Sequence, residues 1–186
     1  FNVRNNDIVI DGFTVQSGRS YKFVDNYPSP GFVVDGGGTF LNNTFSNFFV
    51  PLRVQDSTAA SFIGNTFSGF NIQATTVGSG GGASTTSDFD TAALRLQNAG
   101  TTGAPVVVRN NIFTTNTIQV STLVTTNHRS AVLGIKNSAV NVYNNQFLTN
   151  TTGTLIGVNQ WVGAVDSTKR TDEVRMVGNT FVGNTN

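Results

Sequence analysis

Five short clusters, each closing on a phenylalanine, constrain this chain more than anything else in it. They read Asn42-Asn43-Thr44-Phe45, Gly64-Asn65-Thr66-Phe67, Asn110-Asn111-Ile112-Phe113, Asn144-Asn145-Gln146-Phe147 and Gly178-Asn179-Thr180-Phe181. Near the start, Asp11-Gly12-Phe13 reads as a shortened sixth copy. The six phenylalanines are 32, 22, 46, 34 and 34 residues apart. A fixed motif at variable intervals of this size is the mark of a solenoid whose insertions gather at one turn.

A second register lies upstream of each motif. Leu52-Arg53-Val54-Gln55-Asp56 aligns with Leu94-Arg95-Leu96-Gln97-Asn98, Leu133-Gly134-Ile135-Lys136-Asn137 and Ile156-Gly157-Val158-Asn159-Gln160, and Phe32-Val33-Val34-Asp35-Gly36 fits the same frame. Apolar residues at alternate positions are the period of a strand with one buried face. Each repeat is then expected to carry a second strand that ends at the Asn-Phe motif. Its inward residue, five places before the phenylalanine, is Phe40, Phe62, Val108, Val142 or Met176. Apolar residues three and four apart, the pattern a helix needs, do not persist over any long stretch.

Six repeats stacked at about 4.8 Å give a rod roughly 29 Å tall. Leu52, Leu94, Leu133 and Ile156 would form one inner column, and Phe45, Phe67, Phe113, Phe147 and Phe181 another. Asn43, Asn65, Asn111, Asn145 and Asn179 form the most constant column of all. Asparagine tolerates left-handed backbone at a bend, and its amide can bond the amide one repeat away. These asparagines are therefore read as structural. The expected architecture is one all-β domain over residues 1–186, with insertions near 18–31, 73–91, 117–130 and 161–173.

Composition narrows the partners. Charged residues are 11% of the 186, with 11 basic against 10 acidic and a net charge of +1. That balance gives no electrostatic case for nucleic acid. No apolar run approaches the ~20 residues that span a bilayer, so no membrane span is expected. There is no cysteine, which rules out disulfides and thiolate metal sites. The first residue is Phe1 rather than Met, so the chain reads as a mature product or a segment of something longer. Neither end carries an evident cap, and bare strand edges need covering. The ends are expected to be closed by self-association with neighbouring subunits, by further chain or by another protein.

The whole chain resembles the right-handed parallel β-helix superfamily, often called pectin-lyase-like. Phe113-Thr114-Thr115-Asn116, Phe147-Leu148-Thr149-Asn150 and Phe181-Val182-Gly183-Asn184 are similar to the Phe-x-x-Asn repeats of polymorphic membrane protein-type surface adhesins. The other half of that adhesin repeat is echoed only by Ser130-Ala131-Val132-Leu133 and Gly153-Thr154-Leu155-Ile156. The first resemblance implies a right-handed coil and raises the possibility of an enzyme that cleaves acidic polysaccharide. Lyases of that fold need a carboxylate cluster for calcium and a basic residue to remove a proton, and its hydrolases need paired carboxylates. The second resemblance implies an extracellular, cell-surface or virion-surface protein.

Against those needs the chain offers little. Arg53 and Arg95 share one outward position, and Gln55, Gln97, Lys136 and Asn159 share another. Together they could line a polar strip that contacts a polysaccharide, with the arginines as clamps and Lys136 or Arg95 as the alternative catalytic residue. The plainer reading is a solvated sheet face. Asp88 and Asp90 have the spacing of two calcium ligands but no third carboxylate nearby, so a polar loop end is the simpler account. The glycine run 78–82 lacks the Lys-Ser/Thr ending of a phosphate loop, and no cofactor is expected. His128, the one histidine, reads as a loop residue. Trp161, and Tyr21 and Tyr27, could stack on sugar rings or pack a loop onto the rod. The favoured expectation is a non-enzymatic extracellular or surface rod, part of an adhesin, fibre or filament. A carbohydrate-active or glycan-binding module is the alternative.

Overall fold

The computed structural model describes residues 2–3, 8–16, 32–34, 36–48, 52–56, 60–74, 91–120, 130–159 and 173–186. These residues are all-β, with no helix among them. Sheet A consists of Asn2–Val3, Phe32–Val34, Leu52–Gln55, Thr91–Gln97, Ser130–Lys136 and Ile156–Asn159. Sheet B consists of Val9–Asp11, Gly38–Leu41, Ala60–Ile63, Val106–Arg109, Val140–Tyr143 and Val174–Val177. Sheet C consists of Thr14–Gln16, Thr44–Ser46, Thr66–Ser68, Ile112–Thr114, Gln146–Leu148 and Thr180–Val182. A shorter sheet D holds Asn71–Ala74, Thr117–Val120 and Thr151–Thr152. Every strand pairs in parallel with the equivalent strand of the next repeat. Stacked parallel sheets of this kind are compatible with a β-solenoid, and each repeat forms one row of the stack.

The expected columns are in register. Leu52, Leu94, Leu133 and Ile156 are successive partners in sheet A. Phe40, Phe62, Val108, Val142 and Met176 follow one another in sheet B. In sheet C the phenylalanine column stacks face to face: Phe67 on Phe113 at 4.7 Å and 8°, and Phe113 on Phe147 at 4.8 Å and 5°. Those separations equal the strand spacing of a sheet, so backbone pairing itself brings the rings into stacking contact. From Phe45 to Phe147 the column is fully buried.

Several expectations need correction. Each repeat has three strands or more, because the bend at the motif separates the strand before it, in sheet B, from the strand carrying its phenylalanine, in sheet C. Thr117–Val120, placed inside an insertion by the sequence reading, is a strand of sheet D. The second correction concerns Phe13, which is not the first member of the phenylalanine column. Val15 pairs with Phe45, whereas Phe13 donates its backbone N–H to Asn43 Oδ1 and is 62% exposed. Phe13 therefore occupies the asparagine position of the first row.

Left-handed backbone also falls one residue earlier than expected. Gly12, Asn42, Gly64, Asn110, Asn144 and Gly178 have positive φ, and the buried asparagines after them do not. This explains why the motif begins with Gly or Asn, the residues that tolerate that geometry. A Cβ on Gly64 would lie 2.7 Å from Asn42 Oδ1, so a side chain cannot be added at Gly64 without moving Asn42. A second bend stacks Asn47, Gly69, Thr115, Thr149 and Gly183, again all at positive φ. Thr115 and Thr149 are β-branched there, a strained choice. Each hydroxyl donates to the carbonyl just before it at 2.7 Å.

The bend asparagines form a continuous ladder. The backbone N–H and one amide N–H of Asn111 both donate to Asn145 Oδ1 in the next row, at 2.9 Å each. The other amide N–H donates back to the Phe62 carbonyl, also at 2.9 Å. The same three bonds recur at Asn43, Asn65 and Asn145. A second ladder of the same design runs through Asn116, Asn150 and Asn184. Phe48 and Phe70 stack in its place in the earlier rows, and Phe70 donates its backbone N–H to Asn116 Oδ1. The Phe-x-x-Asn signature is thus the sequence trace of this second ladder.

Candidate functional site

The structure brings the strip of sheet A together. Arg53 is the register partner of Arg95, and Gln55, Gln97, Lys136 and Asn159 are successive partners two residues further along. The rows beyond Arg95 carry Gly134 and Gly157, so the arginine column stops after two members. Each guanidinium is held within its own strand: Arg53 Nη2 donates to Gln55 Oε1, and Arg95 Nη2 to Gln97 Oε1. Gln55 Nε2 in turn donates to Asp56 Oδ2 at 2.8 Å. Both arginines are half-buried, and Arg53 Nε is buried without a hydrogen-bond partner among the described residues. The strip concentrates positive charge on one face, with part of its donor capacity already used by glutamine.

Acid–base chemistry finds less support. The carboxylates among the described residues are Asp11, Asp56 and Glu173. They lie at the end of sheet B in the first row, after sheet A in the third row, and before sheet B in the sixth. No two share a row or a column, whereas glycoside cleavage requires two carboxyls about 5–10 Å apart across one bond. Among the described residues no group of three or more His, Cys, Asp or Glu side chains could hold a metal ion. Asp88, Asp90, His128, Trp161, Tyr21 and Tyr27 lie outside the described residues, as do insertion 18–31 and most of the other three.

A groove that the sequence reading missed lies on the outer face of sheet B. It has a volume of about 340 Å³ and is lined by Arg109, Tyr143, Asn144, Arg175 and Val177. Arg109, Tyr143 and Val177 are successive register partners, and Arg175 pairs with Asn141. The Tyr143 hydroxyl donates to Asn141 Oδ1 at 3.1 Å, which anchors the ring in the groove that Arg109 and Arg175 also line. Arg175 Nε is 3.7 Å from Glu173, but both side chains are largely exposed, so this pair is weak. The Arg109 guanidinium has no hydrogen-bond or ion-pair partner among the described residues. The signal was present in the sequence: Arg109, Tyr143 and Val177 each directly precede the Asn/Gly-Asn step. These positions lie outside the Leu-x-Val frame of sheet A.

The last row presents a third surface. Phe181 is 49% exposed and Met176 44%, although both continue columns that are buried in earlier rows. Asn179 and Asn184, the last described members of the two ladders, lie beside them. Among the described residues no helix is long and apolar enough to cross a membrane. Comparisons with protein-family models, with curated proteins and with solved structures give no match.

Proposed function

We propose that this chain is a non-enzymatic structural segment, a right-handed parallel β-helix serving as a rod-like part of an adhesin, fibre or filament on a cell or virion surface or in the extracellular space. The observation that carries the reading is the pair of asparagine ladders beside the phenylalanine column. The most repeated residues of the chain are used for row-to-row bonding and core filling. The outer faces hold few charges and no paired carboxylates among the described residues. The surface location is supported by the Phe-x-x-Asn resemblance, by the absence of cysteine and by a composition low in charge. Antibodies raised against the chain should label intact source cells or particles. Labelling that appears only after permeabilisation would overturn the surface assignment.

A second reading, as a polysaccharide-binding module, is favoured by the sheet B groove. A tyrosine ring that lines one groove together with two arginines suits an acidic sugar, with stacking on Tyr143 and charged hydrogen bonds from Arg109 and Arg175. On this reading an acidic polysaccharide cast into a native gel retards the chain. Arg109→Ala combined with Arg175→Ala should remove most of that retardation, and Arg53→Ala should leave it intact. Retardation that survives the double substitution would rule out the groove.

A further inference from the structure

We propose that the outer face of sheet C is a lateral docking surface for a second copy of this chain, so that two rods pair side by side. This deepens the structural-rod reading and rests on it for what the pairing serves. Every charged side chain among the described residues lies in sheet A or sheet B, or next to a strand of one of them. The strands of sheets C and D carry none. On the outer face of sheet C, Ile112 and Leu148 stand in neighbouring rows, one in each of the two outward columns. Around them are Thr44, Thr66 and Gln146 in the first column, and Ser46, Ser68 and Thr114 in the second. Gln146 is exposed and the others are half-buried. An apolar centre in an uncharged polar surround is the composition of the core of a protein–protein interface.

The shape of the face points the same way. From the third row to the fifth, successive rings on the inner side of sheet C differ by only 8° and 5°, so the strands that carry them keep nearly one orientation. Strands of an ordinary sheet turn by about 20–25° from one to the next, and untwisted sheets are typically stabilised by stacking on another sheet. From the bend at Asn42 to the bend at Asn47 the face is about 17 Å wide, and its six strands make it about 29 Å tall. Two such faces would bury about 1,000 Å² together, the lower limit for a specific interface, so the pairing is weak and depends on concentration.

Self-complementarity selects a second copy as the occupant. A threonine or serine hydroxyl donates and accepts, and so does the Gln146 amide, so the face can satisfy its own polar groups when it meets itself. It also brings no like charges together. Sheets A and B lack that property: pairing either with itself would set Arg53 and Arg95, or Arg109 and Arg175, against arginines of the other copy. An uncharged sugar is a poorer fit, because no outward position of sheet C carries an aromatic ring for it to stack on.

Sedimentation equilibrium of the intact chain, at concentrations up to about 500 µM, reads the pairing directly. We expect a monomer–dimer equilibrium that Ile112→Lys weakens at least tenfold, because it sets two ammonium groups into the apolar centre. Gln146→Lys is expected to do the same, and its exposed position keeps the test valid if Ile112→Lys fails to fold. Val107→Lys, on the outer face of sheet B, should leave the dimer intact. Raising the salt from about 50 mM to 1 M should leave it intact too, because no charges cross the interface. A chain that stays monomeric throughout overturns the proposal. So does a dimer that survives Gln146→Lys, or one that salt dissolves, because the contact then lies on another face. Retention of a monomeric chain on an insoluble neutral polysaccharide, lost in Gln146→Lys, would give the face to a sugar and overturn the proposal as well. None of these outcomes bears on surface labelling, so the two proposals fail separately.

Discussion

Replacing Asn111 with leucine is expected to bring the protein to the edge of unfolding, while replacing the adjacent Asn110 with glycine leaves it almost unchanged. Asn111 is fully buried in the fourth row of the stack. Its Oδ1 accepts the backbone N–H and an amide N–H of Asn65, at 2.8 Å and 3.1 Å, and its own amide reaches the Phe62 carbonyl. Leucine has nearly the same volume but leaves these three groups buried and unpaired. At about 1–3 kcal/mol for each, the loss is roughly 3–9 kcal/mol, against about 5–15 kcal/mol for a whole domain. Asn110 is exposed, has a φ of 56° and sits in a column where Gly64 already serves. Its substitution should stay within about 0.5 kcal/mol. Urea denaturation of both variants checks the pair. A leucine variant within about 1 kcal/mol of the parent would mean that the ladder does not hold the rows together.

That contrast also shows which parts of the fold could be read from sequence. Leucine, phenylalanine and asparagine columns were legible because each position keeps one residue type through several rows, and parallel stacking turns sequence alignment directly into contact. The second ladder was not, because Phe48 and Phe70 fill its early positions and break the constancy. Phe13 misled for the opposite reason: a phenylalanine near a glycine resembles the motif, yet its backbone places it in the asparagine column. The separation of sheets B and C escaped because a bend resets the two-residue alternation, so no single period runs through it. Among the candidate site residues, the pairing of Arg53 with Arg95 followed from the strand frame. The hold of Gln55 and Gln97 on those guanidinium groups did not, because it depends on how two side chains of the same strand lie across its outer face. The central column of the sheet B groove, Arg109, Tyr143 and Val177, combines residues about 34 apart in sequence that share no type, and only the register joins them.

Truncating Phe113 to alanine should cost about 3–5 kcal/mol, the range for a buried aromatic residue replaced in a core. The ring is fully buried and stacked on both sides, by Phe67 and Phe147, so neither neighbour can close the gap without leaving its own strand position. Backbone pairing at the strand spacing fixes the rows and prevents collapse into the void. Phe181 belongs to the same column but has one stacked neighbour and is 49% exposed. About half of its surface is already in water, so Phe181→Ala should cost about 1–2 kcal/mol. Thermal or urea denaturation of the two variants reads the difference directly. If both lose the same amount, the Phe181 ring is as buried in solution as the Phe113 ring, and the half-exposed position described above is wrong. If Phe113→Ala is as mild as the terminal substitution, the phenylalanine column is not the core. The rows would then need a different register, because among the described residues no other column places aromatic rings in unbroken contact through five successive repeats.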